Sequence, residues 1–257
     1  KKPAESNRPY VIGLTGGSGS GKSSIARRIE KLGAAIIDCD KLGRSSQLKT
    51  TDSFIEFHIG HETYKVGTDV YKKIIATFGE DIVNPIDQSI DRKILGKKVF
   101  QSPDELKKLT DIVWPAILDL VQACIEQFYN EGIFLKDFQF DLNSIYSKRI
   151  IVLDAAVLLE AKWTVAVNEI WVASIPPKEV NIKFEYLKTI SFDCLAVRRV
   201  VERDHVSDDQ AKSRLSAQMS NQERFSYANV LLCTYWAESV TQKQVEYAWK
   251  LLLERIN

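Results

Sequence analysis

Residues 10–33 read YVIGLTGGSGSGKSSIARRIEKLG, and this stretch decides the fold class. Its first six residues, Tyr10–Thr15, form a short apolar run that predicts a buried β-strand. The glycine-rich run GGSGSGKSS follows, and IARRIEKLG then shows a helical pattern that stops at Gly33. The sequence therefore predicts a strand, a tight loop and a helix in immediate succession.

The rest of the chain predicts a mostly parallel sheet whose strands alternate with helices, which is the α/β class. Further strands are expected at Ala35–Asp38, Ile150–Asp154, Glu169–Ser174 and Val230–Cys233. Helical patterns fill residues 70–128, where Ser102 is the expected N-cap and Pro103 the first helical residue. Other helices are expected at Leu195–Asp204, Ser207–Met219 and Val240–Ile256.

This pattern predicts one domain over residues 10–257 with three parts. A core that contains the sheet is expected in residues 10–42 and 148–257, a helical subdomain at about 69–131, and a small helical lid at about 198–226. Residues 1–9 are expected to be a disordered remnant of a longer chain. Residues 43–68, 133–148 and 180–193 are expected to be loops or local elaborations.

Composition excludes several classes of protein. The chain has 257 residues, of which 45% are hydrophobic, and 35 basic against 34 acidic residues give a formal charge of +1. A formal charge near zero does not favour a nucleic-acid partner. Charge or glycine interrupts every long apolar window, so we expect no membrane span. Four widely spaced cysteines suggest reduced thiols and therefore an intracellular location, in the cytoplasm or a mitochondrion.

Gly16-x-x-x-x-Gly21-Lys22-Ser23 is a complete phosphate-binding loop in the required position between a strand and a helix. Its backbone N–H groups and the helix N-terminus suit a triphosphate, so ATP is the expected ligand. Lys22 would bridge the β- and γ-phosphates, and the Ser23 hydroxyl would hold Mg²⁺. The alternative is a glycine-rich turn that binds no ligand.

Three aspartates follow predicted strands. Asp38 and Asp40 are two residues apart, so both carboxylates can project to one face, where one could accept the proton of an attacking hydroxyl. Asp40 could instead cap a helix. Asp154 is a candidate second metal ligand or a structural carboxylate. Because Ala155 follows it, a water-activating acid pair is absent, which favours a transferase over a hydrolytic switch.

Arginines concentrate in the predicted lid, at Arg198, Arg199, Arg203, Arg214 and Arg224. Lid arginines of kinases neutralise charge on the phosphoryl group in transfer. The alternative is a solvated helix face whose arginines pair locally with acidic neighbours.

The chain resembles the dephospho-CoA kinases, and the resemblance covers nearly the whole chain. It rests on GLTGGSGSGKSS, LGAAIIDCD, FGEDIV, IDRKILGKKVF, LTDIVWPAI, IVLDAAVLLE, RRVVERD and QMSNQERF, in the family's order. It implies ATP-dependent phosphorylation of the ribose 3′-hydroxyl of dephospho-CoA, the last step of coenzyme A biosynthesis. DAAVLLEAKW and VWP look most similar to the kinase half of animal bifunctional CoA synthase, which implies a preceding phosphopantetheine adenylyltransferase domain.

The resemblance also implies roles for individual residues. Lys22, Asp40, Arg199 and Arg203 are the expected catalytic residues, with Asp40 as the base. ATP would be bound by Gly16, Gly17, Ser18, Gly19, Ser20, Gly21, Lys22, Ser23, Ser24 and Arg224. Asp38, Asp91, Arg92 and Glu160 would lie on the acceptor side, and Ser23 and Asp154 would hold the metal.

Two positions depart from the family's pattern. Trp114-Pro115 stands where many members have His-Pro, so no histidine reaches the acceptor there. Asn229 replaces an acidic residue. Two other functions stay open on sequence grounds: a kinase of similar architecture for another small-molecule hydroxyl, and a non-catalytic nucleotide-binding module.

Overall fold

The computed structural model describes residues 8–39, 63–99, 101–131, 150–175, 192–216 and 218–256. They form two compact units, one drawn from residues 1–37 and 134–257 and the other from residues 38–133. The first unit contains the sheet, and the second is helical. Of the expected remnant at 1–9 and the three expected elaborations, only residues 8–9, 63–68 and 192–193 are described.

A five-stranded sheet organises the first unit, and its strands lie where the sequence predicts them. They are β1 (Tyr10–Thr15), β2 (Ala35–Asp38), β3 (Ile150–Asp154), β4 (Glu169–Ser174) and β5 (Val230–Cys233). Their order is β2-β3-β1-β4-β5. The pairs β1–β3, β1–β4 and β4–β5 are parallel, which confirms the predicted α/β class.

The register of the central strands positions the first residues of the site. Leu14 of β1 is paired with Asp154 of β3, and the Ala155 N–H donates to the Leu14 carbonyl. The glycine-rich loop follows β1, so the end of β3 lies beside the start of the loop. Asp154 is thus brought to the loop by strand pairing, across about 140 residues of intervening chain.

Helices of the first unit cover the sheet. They are α1 (Lys22–Lys31), α5 (Phe192–Asp204), α6 (Asp208–Ser216), α7 (Asn221–Ser226) and α8 (Glu238–Ile256); the helices between α1 and α5 lie in the second unit. Ile25 and Ile29 of α1 and Leu252 of α8 are fully buried with Trp171 of β4 in one apolar core. This core fixes α1, and with it the helix N-terminus that the loop enters.

One predicted helix is wrong in extent. The expected helix Ser207–Met219 ends at Ser216, and a separate short helix, α7, begins at Asn221. The Ser220 hydroxyl accepts a hydrogen bond from the Glu223 N–H and caps α7. A side-chain cap of this kind starts a new helix, so α7 is a separate element that begins after the predicted stretch.

The second unit has a core of its own. Its helices are α2 (Asp69–Phe78), α3 (Arg92–Val99) and α4 (Pro103–Glu131), with a 3₁₀ turn at Glu80–Ile82. Pro103 begins α4, and the Ser102 hydroxyl accepts from the Glu105 N–H at 3.2 Å, as predicted. The core buries Tyr71, Ile74, Phe78, Ile82, Ile90, Leu95 and Val99.

Across the described residues, no helix combines the length and the apolar character needed to cross a bilayer. Cys39, Cys124 and Cys233 form no disulfide with one another.

The core of the first unit predicts unequal effects for two leucines. Leu252 is fully buried and Leu231 is 53% exposed. We expect Leu252→Ala to lower the free energy of unfolding by about 2–5 kcal/mol, because it leaves a cavity. Leu231→Ala should cost about 1 kcal/mol or less. Urea denaturation followed by circular dichroism measures both, and equal losses would contradict this description of the core.

Candidate functional site

The glycine-rich loop turns sharply from β1 into α1. The Ser20 N–H donates to the Gly17 carbonyl at 3.0 Å, and the Ser24 N–H donates to the Gly21 carbonyl at 2.9 Å. Helix α1 begins at Lys22, immediately after the loop. The positive end of the helix dipole therefore lies at the loop, an arrangement that favours an anion.

Two glycines are required by the conformation of the loop. Gly19 and Gly21 have φ angles of +76° and +84°, which L side chains rarely adopt. A Cβ at Gly19 would lie 2.7 Å from the Ala196 carbonyl oxygen of α5, and one at Gly21 would lie 2.8 Å from Thr234 Cγ2. The loop is therefore packed closely against α5 and against the residue that follows β5.

Thr234 and Arg199 hold the loop through its carbonyl groups. The buried Thr234 hydroxyl donates to the Ser20 carbonyl at 2.5 Å. Arg199 Nη1 donates to the Gly19 carbonyl and to Thr234 Oγ1, both at 3.0 Å, and Nη2 donates to the Thr234 carbonyl at 2.9 Å. Burial lowers the pKa of Arg199, because it removes water from the charged form. The sequence predicted Arg199 near the phosphates but gave no signal for Thr234.

Lys22 forms an ion pair with Asp154. Lys22 Nζ lies 2.5 Å from Asp154 Oδ1, and the two side chains are 11% and 4% exposed. The carboxylate thus balances the charge of the lysine at a position that is largely shielded from solvent. Both roles that the sequence allowed for Asp154, metal ligand and structural carboxylate, are compatible with this position.

The residues predicted to hold a metal fit magnesium. Ser23 lies in the first turn of α1, and Asp154 ends β3, so each offers an oxygen donor on an element adjoining the loop. No group of three or more His, Cys, Asp or Glu that could hold a metal occurs in the described part of the chain. Mg²⁺ needs no such cage, because it usually binds one or two protein oxygens together with substrate phosphates and water.

Gln218 makes two hydrogen bonds with Ser18 of the loop. Its Oε1 accepts from the Ser18 N–H at 2.8 Å, and its Nε2 donates to Ser18 Oγ at 2.7 Å. Gln218 lies between α6 and α7, in a stretch that the sequence predicted as helical. Gln218 opens the QMSNQERF stretch that carries the resemblance, but the sequence assigned it no role, since a glutamine at a helix end has many possible partners.

Arg224 is buried against the loop and paired with Glu160. Its side chain is 2% exposed, and Nη2 lies 3.3 Å from Glu160 Oε1. A Cβ added at Gly17 would lie 3.4 Å from Arg224 Nη1. The structure therefore joins two residues that the sequence assigned to different substrates, Arg224 to ATP and Glu160 to the acceptor.

The other arginines of the predicted lid form exposed ion pairs. Arg198 pairs with Glu202 at 2.7 Å, and Arg203 and Arg214 both pair with Asp204, at 2.7 and 3.0 Å. The hydrogen bond from Arg203, with the charges of both arginines, lowers the pKa of Asp204. This is the local pairing that the sequence allowed as an alternative, whereas the catalytic role of Arg203 stays a prediction.

The predicted acceptor residues of the second unit have local contacts. Asp91 Oδ1 accepts from the Lys93 and Ile94 N–H groups, at 2.8 and 3.2 Å, and so caps α3. The Arg92 guanidinium lies 5.9 Å from the ring centre of Tyr64. Asp38 is partly exposed at the end of β2. Their predicted role in acceptor binding stays a prediction.

The two remaining predictions concern Asp40 and Asn229. Asp40, the predicted base, lies outside the described residues. The Asn229 side-chain carbonyl accepts from the Ile170 N–H of β4 at 2.7 Å. A neutral amide can make this bond, so the position needs no charge.

Comparisons with known proteins agree with the site. The family model described as dephospho-CoA kinase (CoaE) matches residues 10–235. The dephospho-CoA kinase of Geobacter sulfurreducens is 32% identical over 239 residues, which cover 93% of this chain and 96% of that protein. The dephospho-CoA kinase of Geobacter metallireducens is 33% identical over 245 residues, covering 95% and 98%.

Two solved structures share the fold. TT1252 from Thermus thermophilus aligns with a TM-score of 0.64 at 20% identity and covers 97% of this chain and 99% of that one. A dephospho-CoA kinase from Campylobacter jejuni aligns with a TM-score of 0.57 at 19% identity, covering 95% and 97%.

Gly21 and Gly33 give a matched test of the loop's packing. Both have positive φ, but an added Cβ meets nothing within 4 Å at Gly33 and lies within 3 Å of Thr234 at Gly21. Backbone strain alone should cost each Ala variant about 1–2 kcal/mol. We expect Gly21→Ala to lose a further amount of about 1–3 kcal/mol from overpacking. Urea denaturation measures the difference, and equal losses would show that Thr234 does not confine the loop.

Proposed function

This chain belongs to the dephospho-CoA kinase family, and we propose that the loop at Gly16–Ser23 and its neighbours carry out that family's reaction. The chain is a phosphotransferase of coenzyme A biosynthesis that moves a phosphoryl group from ATP to the 3′-hydroxyl of dephospho-CoA. The observation that carries the assignment is the phosphate-binding loop between β1 and α1, with the Lys22–Asp154 pair beside it, in a chain that the family model covers almost throughout.

ATP is the proposed ligand of the loop. Its phosphates would be bound by Gly16, Gly17, Ser18, Gly19, Ser20, Gly21, Lys22, Ser23 and Ser24, with Arg224 nearby. Lys22 would bind the β- and γ-phosphates, and its pairing with Asp154 supports this role, because the acid holds the ammonium group at the start of α1. Arg199 contacts the loop directly and would support its shape or the transferring charge.

The transfer itself is an in-line displacement. The 3′-oxygen of dephospho-CoA attacks the γ-phosphorus, the bond from that phosphorus to the β,γ-bridging oxygen breaks, and ADP leaves. We propose that Asp40 takes the hydroxyl proton and that Lys22, Arg199 and Arg203 stabilise the charge. Binding of the acceptor stays a prediction for Asp38, Asp91, Arg92 and Glu160.

Magnesium is part of the proposal. When bound, Mg²⁺ neutralises charge on the β- and γ-phosphate oxygens. Ser23 and Asp154 are the residues that would hold it, and their oxygen donors suit the ion.

The remaining parts of the proposal concern organisation. Residues 10–42 and 148–257 would form the core, about 69–131 the acceptor subdomain, and about 198–226 the lid. The separate apolar core of the second unit supports the subdomain. A preceding adenylyltransferase domain, as in animal bifunctional CoA synthase, rests on the sequence resemblance alone. An intracellular location, in the cytoplasm or a mitochondrion, rests on the widely spaced cysteines.

Lys22→Ala tests the nucleotide half of the mechanism. We expect a loss of about 2.7–4 kcal/mol of transition-state stabilisation, or about 10²–10³ in kcat, as for one preorganised electrostatic donor. ADP release with MgATP and dephospho-CoA measures it, and Lys250→Gln, on the exposed face of α8, is the control. Nucleosides offered as acceptors should react poorly. Faster transfer to a nucleoside than to dephospho-CoA would contradict the proposed acceptor.

Asp40→Asn tests the proposed base. The variant should lose most of its turnover while ATP binding changes little, because the amide keeps the size of the side chain but cannot take the proton. Steady-state kinetics and calorimetric titration with ATP measure the two effects. Glu254→Gln, an exposed change on α8, is the control for lost negative charge. Normal turnover of a folded Asp40→Asn enzyme would disprove the assignment.

A further inference from the structure

The ion pair between the buried Arg224 and the partly exposed Glu160 is incompletely hydrogen-bonded. Arg224 Nη2 donates to Glu160 Oε1, but Arg224 Nε and Glu160 Oε2 are both buried and have no hydrogen-bond partner among the described residues. Arginine and a carboxylate usually make two parallel hydrogen bonds. Here only one is made, so the carboxylate balances the charge without occupying the whole guanidinium.

The position of the guanidinium relates it to the loop. Arg224 lies on α7, and its Nη1 atom faces Gly17, 3.4 Å from where a Cβ of that residue would be. Gln218, from the same stretch of chain, lies 3.3 Å from that point and binds Ser18. Gly17 and Ser18 are therefore approached by a cation that is 2% exposed and by a neutral amide.

A buried arginine needs a reason to be there. Burying a guanidinium is costly, and a hydrophobic side chain could hold α7 in place with no such cost. The acid that offsets the cost is Glu160, whose side chain is 26% exposed. A cation kept in this way beside a phosphate-binding loop suits a ligand group that carries more negative charge than the loop alone neutralises.

We infer that Arg224 donates to the terminal phosphate of the bound triphosphate and that Glu160 is the residue that positions it. The inference rests on the proposed function only in taking the loop as the ATP site. It gives Glu160 a role different from the acceptor contact that the resemblance implied: the carboxylate acts through Arg224. The pair would thus make the enzyme bind ATP in preference to ADP.

Binding measurements without dephospho-CoA test this directly. We would titrate the protein with ADP and with the β,γ-imido analogue of ATP, both with Mg²⁺, by calorimetry. The variants are Arg224→Lys, Glu160→Gln and the double variant, with Lys250→Gln as the control. Thermal melts establish that each variant is folded.

Arg224→Lys should weaken binding of the ATP analogue about tenfold or more and that of ADP about twofold or less, because one charge-assisted hydrogen bond is lost. Glu160→Gln should likewise weaken binding of the ATP analogue more than binding of ADP. The double variant should be no worse than Arg224→Lys alone, since Glu160 acts through the arginine. If Glu160→Gln does not fold, Arg224→Lys, which keeps the positive charge beside Glu160, decides alone.

Three results would overturn the inference. Equal weakening of both nucleotides by Arg224→Lys would leave the pair a purely structural role. No change in either affinity would remove Arg224 from the site. A raised KM for dephospho-CoA in Glu160→Gln, with an unchanged preference between the nucleotides, would return Glu160 to the acceptor side. A failure of phosphoryl transfer to dephospho-CoA in the unaltered protein concerns the acceptor alone and leaves the nucleotide preference measurable.

Discussion

A phosphate-binding loop must keep its backbone N–H groups for the ligand, and this constraint determines how the rest of the site is built. The loop is held by hydrogen bonds to its carbonyl oxygens: Thr234 binds the Ser20 carbonyl and Arg199 binds the Gly19 carbonyl. Both residues lie outside the loop, one after β5 and one on α5. Their bonds fix the backbone on the side away from its amide donors. The N–H groups of Ser18 and Ser20 are exceptions, because Ser18 donates to Gln218 and Ser20 donates to the Gly17 carbonyl.

The charges near the loop follow a second pattern: two of the cations beside it, Lys22 and Arg224, have acidic partners. Lys22 is paired with Asp154, and Arg224 with Glu160. In a site with little water, an unpaired ammonium or guanidinium group would be costly. Each acid therefore makes it possible to keep a positive charge where phosphate is to bind. A phosphate group can then replace or share the acid as the partner, which an apolar side chain could not offer.

The sequence predicted those features of the fold and the site that depend on a local pattern of residues. Tyr10–Thr15 and Ile150–Asp154 are continuous apolar runs, and the glycine spacing between the first strand and α1 permits few interpretations. Asp154 was found because it ends such a strand. Thr234 and Gln218 could not be found in this way, since their contacts depend on how β5 and the α6–α7 connection pack against the loop. The pairing of Glu160 with Arg224 joins residues 64 positions apart and has no periodic signature.

The arginines of α5 show why a charged helix face cannot be interpreted from composition. Arg199 and Arg203 are one helical turn apart, yet Arg199 reaches the loop and Arg203 pairs with Asp204 in an exposed position. Only a planar guanidinium offers donors in a fixed fork, and Arg199 uses this geometry on the Gly19 carbonyl and on two atoms of Thr234. A lysine at this position would have one nitrogen for these three acceptors. Arg199 therefore joins α5 to the loop, and two further residues of the predicted lid, Gln218 and Arg224, also lie against the loop.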